Sequence, residues 1–161
     1  MCSMEIRFIK PSDNAALAQV IRTVLVDLGV PKVGTAYADK ALDSMYENYQ
    51  SEKHAYFVVE DQGVILGGAG VAPLQDFKGP VCELQKMYFL SEIRGKGFGQ
   101  KMIEKCVGQA RIFGFEQCYL ETMPYMEAAQ KLYNKMGFKY LEGPMGNTGH
   151  FSCPVHMILD L

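Results

Sequence analysis

The hexapeptide Arg94-Gly95-Lys96-Gly97-Phe98-Gly99 follows an alternating, apolar-rich stretch, Val81 to Leu90, and opens a run of apolar residues at helical spacing. A strand, a glycine-rich turn and a helix N-terminus in that order make a recurrent cradle for phosphate. Unpaired amides and the positive end of the helix dipole both face the anion there. Glycines let the backbone approach the ligand without a Cβ in the way, and each hydrogen bond to a charged oxygen contributes about 1.5–3 kcal/mol. Two other phosphate signatures are missing from the chain: G-x-x-x-x-G-K-[ST], and G-x-G-x-x-G in an early strand–helix–strand unit with an acid about 20 residues further on.

Further side chains around this loop carry chemistry. Glu83 lies on the strand that leads into it, and period-two alternation puts it on one face with Gln85, Met87 and Phe89. It reads either as a general base or as half of a structural charge pair. Tyr133 falls on an apolar helical stripe with Ala128, Ala129, Leu132 and Met136, which by spacing alone makes it a core tyrosine. Arg94 and Lys96 are phosphate contacts or solvated charges at a turn. His150, Cys153 and His156 invite a metal reading, but alternation sends residue 153 to the face opposite 150 and 156, so no metal site is expected.

The elements that would position these groups follow from local pattern. Glu5 to Ile9 alternates as a strand, Pro11-Ser12-Asp13 supplies a turn and an N-cap, and Ala16, Leu17, Val20, Ile21, Val24 and Leu25 trace a helical face. A break over Gly29 to Thr35 precedes a second helical stretch with Ala41, Leu42, Met45, Tyr46 and Tyr49 on one side. Ala55 to Asp61 and Val64 to Pro73 read as strands joined by a hairpin at Gln62-Gly63. Gly67, Gly68 and Gly70 suggest a bulge or a close approach by ligand. After the glycine loop, Phe98, Met102, Ile103, Cys106, Val107 and Ala110 form a helix ended by Gly114. Cys118 to Thr122 is a strand, and the helix bearing Tyr133 closes at Gly137. Phe138 to Leu141 and Gly149 to Asp160 finish the chain as strands. The order is βααβββαβαββ, an α/β arrangement with a partly parallel, mixed sheet covered by helices.

With 161 residues, 48% hydrophobic and 21% charged, the chain suits one domain, residues 1–161, with a substantial core. A net charge of −2 and the lack of a Lys/Arg block argue against a nucleic-acid partner. No apolar run approaches the roughly 18 residues a membrane span needs, and Met1 to Lys10 has no secretory h-region, so a soluble cytoplasmic protein without a membrane partner is expected. The five cysteines are dispersed and contain no C-x-x-C, as reduced thiols would be.

Residues Leu84 to Gly99 together resemble the central cofactor motif of the GNAT N-acetyltransferase superfamily. Ala129-x-x-Leu132-Tyr133-x-x-x-Gly137-Phe138 is similar to its second signature. Cys82 to Phe89 with Gly149-His150-x-x-Cys153 resembles a bacterial group within it. The resemblance implies the GNAT fold, about seven strands with about four helices. It also implies acetyl-CoA bound in a V-shaped opening between Val81 to Leu90 and Cys118 to Thr122. The backbone at Met87, Tyr88 and Phe89 would hold pantetheine and the acetyl carbonyl, amides from Arg94 through Gly99 the pyrophosphate, and Tyr133 would protonate the leaving thiolate. Met126 stands where the family often has an Asn contacting pantetheine. Tyr37 and Tyr46 lie in the helical pair that commonly walls the acceptor site in such folds and read as acceptor-pocket or packing residues. His150 reads as an acceptor-pocket residue or a satisfied strand histidine, and a homodimer through the late strands is in keeping with such proteins. An alkyl amine of pKa near 10.4 must lose a proton before attack, about 4–5 kcal/mol at pH 7, which is the task Glu83 would serve. The expected activity is direct acetyl transfer from acetyl-CoA to a primary amine of a small molecule, amino acid or peptide. The alternative is an acyl-CoA sensor that binds without turnover.

Overall fold

The computed structural model describes residues 3–29, 31–33, 36–149 and 153–161. Continuous burial from Ala55 to Val59 sets the layering: Phe57 and Val59 enter one core, Tyr56 and Val58 the other, so this strand is covered on both faces. Seven strands make one sheet: β1 Glu5–Phe8, β2 Ala55–Asp61, β3 Val64–Pro73, β4 Val81–Phe89, β5 Gln117–Thr122, β6 Lys139–Leu141 and β7 Val155–Asp160, in spatial order β1-β2-β3-β4-β5-β7-β6. The helices are α1 Asn14–Asp27, α2 Met45–Asn48, α3 Phe98–Ile112 and α4 Glu127–Lys135. The element order and mixed sheet are those expected from the sequence. α1 and α2 cover one face through Leu17, Ile21, Leu25 and Met45; α3 covers the other through Met102, Ile103, Cys106 and Ala110.

Several local expectations are met with their reasons visible. Gln62 and Gly63 both take positive φ, 50° and 85°, as a two-residue turn between paired Asp61 and Val64 requires. Gly114 and Gly137, at φ 89° and 102°, end α3 and α4. Other details differ. Asp13 precedes α1, but its carboxylate accepts from the Lys10 amide at 2.7 Å and from Arg7 at 2.8 and 3.0 Å instead of capping the helix. Arg7 also reaches Glu60 at 2.9 Å, and these charge-assisted bonds tie β1 to β2 and to the α1 entry. The second helical stretch is a 3₁₀ turn, Lys40–Ser44, running into the single turn of α2. The last strand begins at Val155 rather than Gly149.

The glycines of β3 are approached by the protein's own aromatic rings. A Cβ on Gly68 or Gly70 would lie 2.6 Å from the Tyr56 ring, and one on Gly67 would lie 2.4 Å from the Phe89 ring. Opposite them β4 is bulged. Gly70 pairs with Gln85 and Gly68 with Tyr88, so Lys86 and Met87 together face Ala69, and Lys86 adopts φ 50°. An extra residue reverses the alternation. Glu83 and Gln85 therefore share their face with Tyr88, toward α1, while Met87 and Phe89 join Cys82 and Leu84 in the core toward α3. Uninterrupted alternation, which groups Glu83 with Met87 and Phe89, fails at this bulge.

Candidate active site

Strands β4 and β5 are parallel neighbours for only three pairs, Val81–Gln117, Cys82–Cys118 and Glu83–Tyr119. Beyond Glu83 they part: β4 stays with β3 out to Phe89, and β5 stays with β7 out to Thr122. The wedge between them opens into a cleft of about 530 Å³, whose walls include Met87, Tyr88 and Phe89 of β4, Glu121 and Thr122 of β5, and Leu132 and Tyr133 of α4.

The glycine loop forms the outer rim. Gly95 and Gly97 take left-handed φ, 75° and 82°, and Gly97 is the residue from which α3 starts. Neither a Cβ on Gly95 nor one on Gly97 would meet another atom, so their backbone shape, not crowding, calls for glycine. Gly99 differs: its Cβ would stand 2.6 Å from Leu132 Cδ2, so its role includes the close approach of α3 and α4. Arg94, Gly95, Gly97 and Gly99 line the cleft, and Arg94 also donates from Nε to the Phe89 carbonyl at 3.0 Å, bracing the loop on the end of β4. Lys96 and Phe98 do not line it; Phe98 is buried, with Lys101 Nζ 5.0 Å from its ring centroid. The left-handed glycines, the α3 N-terminus and the strand edge bared by the wedge together suit a pyrophosphate joined to an extended amide-bearing arm.

Glu83, the last β4 residue paired to β5, sits at the apex and is only 4% exposed. Its carboxylate accepts from Gln85 Nε2 at 2.7 Å, and Gln85 Oε1 accepts in turn from the Tyr49 hydroxyl. Burial pushes the Glu83 pKa up to about 7; the Glu121 carboxylate adds to the rise, while Gln85 and Lys86 oppose it. Glu121 is held by hydroxyls of Tyr119, at 2.7 Å, and Thr148. Tyr133 is 7% exposed, packs edge-on to Phe138 and has its pKa raised by burial, so its phenol stays protonated at neutral pH. Met126 lines the cleft just before α4, its sulfur 3.2 Å from the Thr122 hydroxyl, where it offers a thioether and no amide.

A second cavity of about 620 Å³ meets the first at Glu83, Gln85 and Lys86, which line both. Tyr49 lines it; Tyr37 and Tyr46 line neither cavity and pack against the α1 core. His150 lies outside the described residues. Among the described residues no cluster of three His, Cys, Asp or Glu side chains could hold a metal, and no helix is long and apolar enough to cross a membrane. His156 stacks on Tyr119 with ring centroids 6.3 Å apart. Sequence reasoning missed Glu121, Tyr49 and Lys86 as site residues. Glu121 had a legible neighbour pattern, but its nearness to Glu83 depends on the register of two strands separated by α3.

The acetyltransferase (GNAT) family profile matches residues 25–138. The chain belongs to that family. The sequence is 45% identical over 150 residues to YjgM, an uncharacterised N-acetyltransferase of Escherichia coli K12, with 92% of this chain and 90% of that protein covered. A GNAT-family acetyltransferase structure from Staphylococcus aureus Mu50 superposes with a TM-score of 0.87 at 18% identity, covering 98% of this chain and 99% of that one. The putative acetyltransferase yncA of Salmonella typhimurium, solved with acetyl-CoA, gives 0.77 at 24% identity, covering 99% and 94%. As a GNAT member the chain is an acyltransferase, and the resemblance carried by Leu84 to Gly99 and by Ala129 to Phe138 stands on whole-chain likeness as well.

Proposed function

We propose that this GNAT member transfers the acetyl group of acetyl-CoA directly to a primary amine of a small molecule, amino acid or peptide. The observation that carries this reading is the coincidence of two features at one point: β4 and β5 separate immediately past Glu83, and the two cavities meet there. Acetyl donor in one cavity and amine in the other would bring both beside a buried carboxylate. The acetyl-CoA bound by yncA supports the choice of donor.

The residues divide the work as follows. Amides of the Arg94-to-Gly99 turn would receive the pyrophosphate, and the unpaired β4 edge at Met87 to Phe89 would receive the pantetheine arm and the thioester oxygen. Glu83 takes the proton from the incoming ammonium. With a pKa of about 7 it is roughly half ionised at neutral pH, basic enough to help and ionised enough to act. The amine nitrogen bonds to the acyl carbon, the carbon–sulfur bond breaks and the nitrogen sheds its second proton to solvent, leaving the amide and a thiolate beside Tyr133. Tyr133 stabilises that thiolate through its O–H. Moving the proton fully from a phenol of pKa 10 or more to a thiolate of about 8.5 costs about 2 kcal/mol or more, so hydrogen bonding is the larger contribution. No covalent acyl-enzyme is required.

Release of CoA thiol, followed with acetyl-CoA and a panel of primary amines, tests the proposal. Amine-dependent release is expected. Binding of acetyl-CoA by calorimetry without release above hydrolysis would identify a sensor instead, and no binding at all would remove the donor.

A further inference from the structure

The second cavity has a charge pattern that the donor site does not explain. Its lining includes Glu83 at the junction with the cleft and, around it, Lys86, Asp39, Tyr49, His54 and Gln75. Lys86 is unusual among these. Its side chain is 8% exposed, an uncommon degree of burial for an ammonium, and it sits at the left-handed bulge residue of β4. Asp39 Oδ2, 3.3 Å away, is the ammonium's one partner among the described residues. That separation exceeds the roughly 2.7–2.9 Å of a tight charge-assisted bond, and an ammonium has three protons to donate. Asp39 is itself fixed by accepting the Ala41 amide at 2.9 Å, which limits how far it can turn toward Lys86. The charge of Lys86 also reaches Glu83, whose pKa it lowers against the effect of burial.

A fixed cation with donors to spare, close along β4 to the base that must meet the amine, selects among amines. A polyamine would bring a second positive charge toward Lys86 in a site of reduced dielectric, where like charges repel strongly. A plain alkylamine would gain nothing from it. An acceptor with a carboxylate a few bonds from its amine would place that carboxylate on Lys86 while the amine faces Glu83. We propose that the second cavity is the acceptor site and that it takes a free amino acid, with Lys86 binding the carboxylate and thereby determining specificity. This rests on the acyltransferase reading above.

The experiment measures kcat/KM by thiol release for the proteinogenic amino acids, for the carboxamide and the decarboxylated amine of each one turned over, and for spermidine. A charge-assisted contact predicts that the amino acid exceeds its two carboxylate-free analogues by about 10- to 150-fold. Lys86→Met should abolish that ratio, chiefly by raising KM for the amino acid, and Lys86→Arg should retain it. Spermidine or a carboxylate-free amine as the best acceptor, equal losses on all acceptors in Lys86→Met, or thiol release with no amino acid would each overturn the assignment. Should Lys86→Met not fold, the wild-type ratio of amino acid to carboxamide decides alone. Calorimetry with acetyl-CoA separates the two levels: retained binding leaves the acyltransferase reading standing when the acceptor assignment falls, and lost binding removes both.

Discussion

Replacing Glu83 by Gln should make the protein more stable and less active, with both effects depending on pH. The carboxyl is raised from an ordinary 4.5 to about 7, chiefly by burial. Folding therefore favours its protonated form. The stability that this preference contributes is fully present below about pH 4.5 and declines as pH rises, being lost once pH passes about 7. The distance between the two values, at 1.36 kcal/mol per pH unit, corresponds to about 3 kcal/mol. The substituted glutamine would keep the Gln85 contact through its own carbonyl and never ionise. Relative to wild type, the variant should thus gain about 3 kcal/mol between about pH 4 and pH 8, or roughly 6–12 °C in melting temperature for a chain of this size. Denaturant unfolding of both proteins across that range measures it. Over the same range kcat/KM of the variant should fall by about 10²–10⁴ near neutrality and recover toward high pH, where the amine deprotonates unaided. A stability difference that stays constant with pH would refute the raised pKa, and an unchanged pH–rate profile would refute the general-base role.

Tyr133→Phe should lower kcat by about tenfold or more while calorimetric affinity for acetyl-CoA holds, because only the hydroxyl at the leaving group is lost; equal kcat would return Tyr133 to the core. Gly97→Ala has open space for its methyl group but must keep φ near 82°, so a cost of about 1–2 kcal/mol and weaker acetyl-CoA binding are expected in thermal melts and calorimetry. Asp13→Asn should destabilise by about 2–3 kcal/mol at neutral pH, since Arg7 loses the more buried of its two carboxylate partners and keeps only Glu60. Burial pushes the Asp13 carboxyl up, yet Arg7 and the Lys10 amide outweigh it and hold the pKa below 3.8. Its contribution is therefore present above about 3.8 and lost as pH falls through the lower native value, so the Asn deficit should shrink in acid; a deficit unchanged there would refute the pairing argument.

Local pattern foretells most of the scaffold because each element carries its own signal. Leu17, Ile21 and Leu25 repeat with the helix, Phe57 and Val59 with the strand, and the positive-φ glycines 63, 114 and 137 punctuate the ends. Where local pattern misleads, a competing contact is the reason. The stretch from Lys40 to Asn48 has the apolar spacing of a helix, but the Asp39 cap starts a 3₁₀ turn and only one α-helical turn follows. Asp13 has the residue type and place of an α1 cap and is instead drawn to Arg7, because the sheet brings a full positive charge within 2.8 Å.

By itself the sequence determined the glycine turn before α3, the tyrosine on α4 and the acid on β4, since residue type and short-range spacing are sufficient for each. Tertiary structure alone decided how they meet. The β4 bulge at Lys86 reverses side-chain alternation and puts Tyr88, rather than Met87 or Phe89, on the face of Glu83. The register of β4 against β5 ends their pairing at Glu83 and brings Glu121 near enough to raise its pKa. Both depend on hydrogen bonds between strands distant along the chain, and an inserted residue or a strand's end shifts those bonds without leaving a periodic trace in either strand.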